Sequence, residues 1–174
     1  MKFSEMPYKR IDMEEVEKEY KSIIERTKNA KSGEEQFEIH REYYKFTADV
    51  QTSMELAMIR HDIDTTDEFY EKESDFYDEV GPIISQYENE YGKVLYDSPY
   101  RDYLESKIGK VTFKNIEIAN KAFDEKIIPL MQEENALSSR YSKLIATAKI
   151  PFEGEVYNLS LIHISEPTRP LYIS

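Results

Sequence analysis

Ile59-Arg-His-Asp-Ile-Asp-Thr-Thr-Asp-Glu-Phe-Tyr-Glu-Lys-Glu73 is where one long helical pattern ends and another begins. Before it, residues 34–60 hold neither proline nor glycine, and Phe37, Tyr44, Val50, Met54, Ala57 and Met58 recur at helical spacing. A helix of ~27 residues is about 40 Å long, enough to span a domain. After it, Thr66 is expected to cap a helix opening Asp67-Glu68-Phe69, whose acidic first turn suits the positive end of the helix dipole. The stripe of this second helix runs through Phe69, Glu73, Phe76, Val80, Ile83, Ile84, Tyr87 and Tyr91, with Glu73 the one acid on it. Gly81-Pro82 predicts a kink or a break, because proline removes a helical hydrogen bond and crowds the preceding turn.

The same reading extends outward. Asp12 with Glu15 reads as a capping box, and Met13, Val16, Tyr20, Ile23 and Ile24 then share one face of a helix reaching about Ala30. Ser32 and Glu35 repeat the device at the next start. Ser98-Pro99 reads as a cap plus a first-turn proline for a short helix over 99–108, ended by Gly109. A loop and a helix over 115–123 are expected to follow. The last long helix is expected over 125–148, with Pro129 near its first turn. Ile127, Met131, Glu134, Leu137, Tyr141, Leu144, Ile145 and Ala148 lie along one side of it. Residues 150–157 alternate around Glu153-Gly154, which predicts a small β-hairpin. The expected fold is all-α, a bundle of long antiparallel helices with shorter helices and that hairpin.

Composition narrows the function. At 174 residues the chain can bury a core and reads as one domain. Lys plus Arg is 23 against 35 Asp plus Glu, a formal charge of -12. Binding nucleic acid or an anionic membrane needs clustered positive charge, and the sequence has no basic patch. There is no cysteine, which excludes disulfides and thiolate metal sites. The start carries no apolar secretory signal and no run approaches the ~18 apolar residues of a membrane span, so a soluble cytoplasmic protein is expected. Fourteen Tyr and eight Phe against five Gly favour a packed fold, with tyrosine faces suited to an irregular crossing or a cleft.

No catalytic centre emerges. The histidines are His40, His61 and His163, and none completes H-E-x-x-H or E-x-x-H. There is no G-x-S-x-G and no glycine-rich phosphate loop. Asp62, Asp64, Thr66 and Glu73 match positions 1, 3, 5 and 12 of a calcium-binding EF-hand loop, with Phe69 at 8. Position 6, which demands glycine, is Asp67. The acids are therefore expected to cap and solvate a helix–loop–helix joint. His61 is expected to donate to a helix-terminal carbonyl and Arg60 to form an internal ion pair. Glu73 and Glu134 are candidate buried carboxylates paired with Arg60, Arg101 or Arg140.

Three stretches together resemble the N-terminal part of oligoendopeptidase F, within the thimet-oligopeptidase-like zinc metallopeptidases. They are Ala57-Met-Ile-Arg-His-Asp-Ile-Asp-Thr-Thr-Asp-Glu-Phe-Tyr-Glu-Lys-Glu73, Ser98-Pro-Tyr-Arg-Asp-Tyr-Leu-Glu-Ser-Lys-Ile-Gly109 and Pro129-Leu-Met-Gln-Glu-Glu-Asn-Ala-Leu-Ser-Ser-Arg-Tyr-Ser-Lys-Leu-Ile-Ala146, the last running on to Phe152-Glu-Gly-Glu-Val-Tyr-Asn158. The resemblance covers about 5–158 and implies a helical wall of a deep cleft around a zinc that hydrolyses short peptides. The family's H-E-x-x-H and its further glutamate have no counterpart here. No catalytic, metal-binding or substrate-binding residue is carried over, and zinc is expected only in the full-length parent.

Leu159-Ser-Leu-Ile-His-Ile-Ser-Glu-Pro-Thr-Arg169 resembles a translated sequencing adapter. Residues 1–158 are accordingly expected to be the N-terminal helical region of a truncated oligoendopeptidase and 159–174 a non-native tail, with the junction in 159–161. The expected partners are oligopeptides, for the parent, and the missing catalytic part. The alternative is a stand-alone helical peptide-binding or interaction module using the tyrosine-rich face. A calcium sensor is a third reading. A peptidase fragment should expose a large apolar surface where its other part belongs.

Overall fold

The computed structural model describes residues 5–152 and 154–157. Among these, α1 is Met13–Asn29, α2 Gly33–Ile63, α3 Glu68–Tyr96, α4 Arg101–Ile108, α5 Lys110–Ala122 and α6 Ile128–Ala146. A 3-10 turn, Glu125–Ile127, precedes α6. β1, Ile150–Phe152, pairs antiparallel with β2, Glu155–Tyr157, as the alternation predicts, and Gly154 takes the turn with φ 89°. The tail expected at 159–174, with His163, lies outside the described residues.

Local signals set the early helices. Asp12 Oδ1 accepts from the Glu14 and Glu15 amides, and Ser32 Oγ accepts from the Glu35 amide. The Glu35 carboxylate closes on the Lys31 amide, one residue before the expected cap. α2 is a single helix of 31 residues. Val16, Tyr20, Val50, Ala57, Tyr77, Val80 and Ile84 form one core, and Ile23, Ile24, Ile39, Tyr91, Leu95, Leu104 and Phe113 a second. The order of contributors makes α2 antiparallel to α1 and α3. Tyr43, Phe46 and Tyr87 pack against both cores and join them.

Several boundaries differ from the expectation. The cap of α3 is Asp67, whose Oδ1 accepts from the Phe69 and Tyr70 amides; Thr66 instead donates its amide and hydroxyl to Asp64. α4 begins at Arg101, not at residue 99, because Ser98 Oγ accepts from the Tyr100 amide in a turn and donates to Gln36 Oε1 at 2.5 Å. Gln36 Nε2 in turn donates to the Thr27 carbonyl, so one buried polar chain ties the α1–α2 turn to the start of α4. Gly109 ends α4 at φ 91° and α5 begins at the next residue, where a loop to residue 115 was expected.

α3 runs unbroken through Gly81-Pro82. Pro82 has no N–H, so the Asp78 carbonyl loses its helical partner. α6 supplies a replacement: Asn135 Nδ2 donates to Asp78 O at 3.3 Å, and Gln132 Nε2 to Glu79 O at 2.8 Å. Ser139 Oγ donates to Asp78 Oδ2 at 2.5 Å, and Lys143 pairs with Glu71. α6 therefore docks by its polar side. Glu134, Leu137, Tyr141 and Leu144 on the apolar stripe are exposed, so Glu134 is not the buried carboxylate expected.

Candidate functional site

The acids of the 59–73 joint do not converge on one point. Asp64 and Asp67 hold backbone and hydroxyl groups of their own turn. Glu73 turns inward, buried, and its partner is none of the three arginines expected. Arg10 donates to Glu73 from Nε at 2.8 Å and from Nη2 at 2.5 Å, and the Tyr8 hydroxyl donates to the same carboxylate. The Arg10 hydrogen bonds hold the Glu73 carboxyl below its ordinary pKa, against the opposing effect of burial. Arg10 also lies 4.5 Å from the Phe76 ring centre, a cation–π contact. Arg60 donates to the Tyr70 hydroxyl and the Met6 carbonyl, each at 2.6 Å, so it fastens the N-terminal segment to α3. His61 is buried with Nδ1 3.8 Å from Asp62 Oδ1, not at a helix-terminal carbonyl. Arg101 pairs with Glu105, one turn on, and covers Tyr96. The joint is a structural anchor.

A groove between α2, α3 and α5 has more to offer a ligand. Phe37, His40, Tyr44, Tyr91, Leu95 and Ile116 are among the residues enclosing about 590 Å³, with Arg41 and Glu88 adding opposite charges to its lining. Helical spacing places Phe37, His40, Arg41 and Tyr44 on one side of α2, and Glu88, Tyr91 and Leu95 on the facing side of α3. Tyr43 stacks on Tyr91 with ring centres 3.8 Å apart, and His40 shares a 2.9 Å hydrogen bond with the Tyr91 hydroxyl. Burial lowers the His40 pKa, which keeps the ring neutral, and raises the Tyr43 and Tyr91 hydroxyls, which stay protonated. The packed surroundings of Glu88 raise its carboxyl, partly offset by the Tyr20 hydroxyl at 3.4 Å, and its exposure to water tempers the effect.

Such a groove can seat an apolar or aromatic side chain and orient a backbone through hydroxyls and rim charges. The group that His40 engages is the Tyr91 hydroxyl, which burial keeps protonated. The sequence showed a tyrosine-rich face but not this groove, whose walls are 51 residues apart in the chain at the His40–Tyr91 bond. Among the described residues no three His, Asp or Glu side chains are grouped to hold a metal ion.

A family described as the Peptidase M3 N-terminal domain matches residues 3–123. This chain belongs to that family. Solved structures agree. Against PZ peptidase A with an inhibitor, identity is 40% and the TM-score 0.91 over 94% of this chain. An oligoendopeptidase F gives 38% and 0.91 over 94%, and an oligoendopeptidase F from Bacillus anthracis 39% and 0.88 over 92%. In all three the match spans 29% of the solved chain. No curated protein matches. An M3 N-terminal domain thus consists here of the α1–α3 bundle, with α4 and α5 closing the tyrosine groove. No helix among the described residues is long and apolar enough to cross a membrane.

Proposed function

We propose that residues 1–158 are the helical cleft wall of a cytoplasmic, zinc-dependent oligopeptidase, and that 159–174 are not part of the native sequence. The observation that carries this is the fit at TM-score 0.91 to only 29% of peptidase chains. The chain supplies no catalytic and no metal-binding residue. The zinc, with its Lewis-acid activation of water, belongs to the part of the fold beyond this span. This wall restricts entry to short peptides, and its partners are oligopeptides and the catalytic part, not nucleic acid or membrane.

A chimera tests it, with residues 5–157 replacing the matching span of PZ peptidase A. Hydrolysis of a quenched fluorescent oligopeptide, abolished by a chelator and restored by zinc, is the expected result. A folded, zinc-loaded chimera without hydrolysis overturns the reading. The 174-residue chain alone should not turn over the same peptide with added zinc.

The tyrosine groove favours a second reading, a free-standing peptide-binding module. That reading requires saturable binding of an oligopeptide to the chain alone, reduced at least tenfold by Tyr91→Ala; absence of binding sinks it.

A further inference from the structure

Among the described residues nothing covers one side of α6. Leu130, Leu137, Tyr141 and Leu144 are 64%, 55%, 65% and 69% exposed, and no residue of the helix is buried. At ~100° per residue these four fall along one line about 21 Å long. The side chains that hold α6 to α3, Gln132, Asn135, Ser139 and Lys143, fall on the opposite side of the same wheel. The orientation is therefore fixed by specific bonds, not chosen to hide the apolar side.

We propose that this stripe is the seat of the remaining polypeptide of the M3 peptidase fold, the part of the solved relatives beyond the 29% that this chain matches. Three observations select that occupant. The match at TM-score 0.91 covers 94% of this chain and 29% of the solved chain, so in that relative a segment of this shape is joined to further polypeptide. A row of large apolar side chains in water is what a permanent interface leaves when one partner is missing. Glu133, Glu134 and Ser138 line the shallow depression around Leu130, Leu137 and Tyr141, giving the apolar centre a polar rim. The proposal rests on the peptidase reading above, and it adds which helix face makes the junction.

The chain has no cysteine, so single thiols report burial cleanly. Leu137→Cys and, as an exposed reference on α1, Ser22→Cys are placed in the 174-residue chain and in the PZ peptidase A chimera. Alkylation at each site is followed by peptide mass spectrometry. In the chain alone both thiols should react at similar rates; in the chimera the thiol at 137 should slow at least tenfold while that at 22 does not. Equal rates at 137 in chain and chimera overturn the proposal. Slow, concentration-dependent reaction at 137 in the chain alone also overturns it, in favour of a second copy on the stripe. If the chimera fails to fold, the 174-residue chain is mixed with the complementary PZ peptidase A fragment and sedimented. Association weakened at least tenfold by Leu137→Glu with Tyr141→Glu sustains the proposal. Absence of association, or association indifferent to those changes, ends it. A hydrolysing chimera with an unprotected thiol at 137 removes the docking site and leaves the peptidase reading intact. A protected thiol in an inactive chimera does the reverse.

Discussion

Glu73 shows what one side chain does for the fold. Placed on an apolar stripe, it would cost several kcal/mol as an unpaired buried charge, and Arg10 with Tyr8 from the N-terminal segment resolves this. Glu73→Ala should therefore destabilise by ~1–3 kcal/mol and free the segment around Tyr8, seen as faster proteolysis before Met13. Its pH dependence has a definite sign. The folded carboxyl binds its proton less tightly than the unfolded one, ordinarily at 4.5. The stabilisation is full above that value and is lost as pH falls through the folded pKa. Asp78, raised by burial, works in the opposite sense, so the informative quantity is a difference. Melting temperatures from about pH 3 to 6 should show a shallower acid limb for Glu73→Gln than for the parent. Parallel curves would remove Glu73 from the acid response. Gly33 is a second residue-scale case. A Cβ there would lie 2.7 Å from Tyr103 Cδ1, so Gly33→Ala must displace the Tyr103 side chain from the start of α2, at roughly 1–3 kcal/mol by thermal melting. The burial of Glu73 was legible from its place on the stripe; its partner, 63 residues earlier, was not.

Among the elements, α6 teaches most. Spacing gives it an amphipathic stripe and makes Glu134 on that stripe a candidate buried carboxylate, yet Glu134 is exposed. Periodicity records which side avoids water in the finished assembly, without saying which neighbour covers it. Proline decided the matter locally. Pro82 strips the Asp78 carbonyl of its helical donor, and a free carbonyl in a packed helix is a docking point for an amide side chain. Gln132→Ala with Asn135→Ala should cost about 1 kcal/mol per lost bond. Hydrogen exchange should then speed up across α6 while α1–α3 amides keep their protection. Uniform acceleration would mean that α6 is integral to the core. The caps Asp12 and Ser32 lie where expected, though the returning half of each capping box does not form as expected: Glu35 closes on the Lys31 amide, and among the described residues Glu15 makes no bond to the Asp12 amide. Thr66 and Ser98 are not the caps expected. There Asp67 lay one residue closer to α3, and Ser98 was drawn to Gln36 from another element.

At the scale of the molecule, an acidic helical bundle carries a closed core and an open flank. The folded chain should bind an apolar dye at neutral pH while keeping the near-ultraviolet dichroism of packed tyrosines, and Leu137→Glu with Tyr141→Glu should cut the fluorescence at least twofold. Dye binding unaffected by those changes would place the open surface elsewhere. By itself the sequence determined the helical class, the three long helices, the hairpin at 150–157 and the acidic net charge, because caps, periodicity and charge act within a few residues. It also carried enough of the family's spacing to place the chain among M3 N-terminal domains. Only tertiary structure decided that Arg10 answers Glu73, that α2, α3 and α5 enclose a tyrosine groove, and that α6 turns its polar side inward. Each of these joins groups far apart in the chain, and such contacts depend on how whole helices pack, which no local pattern encodes.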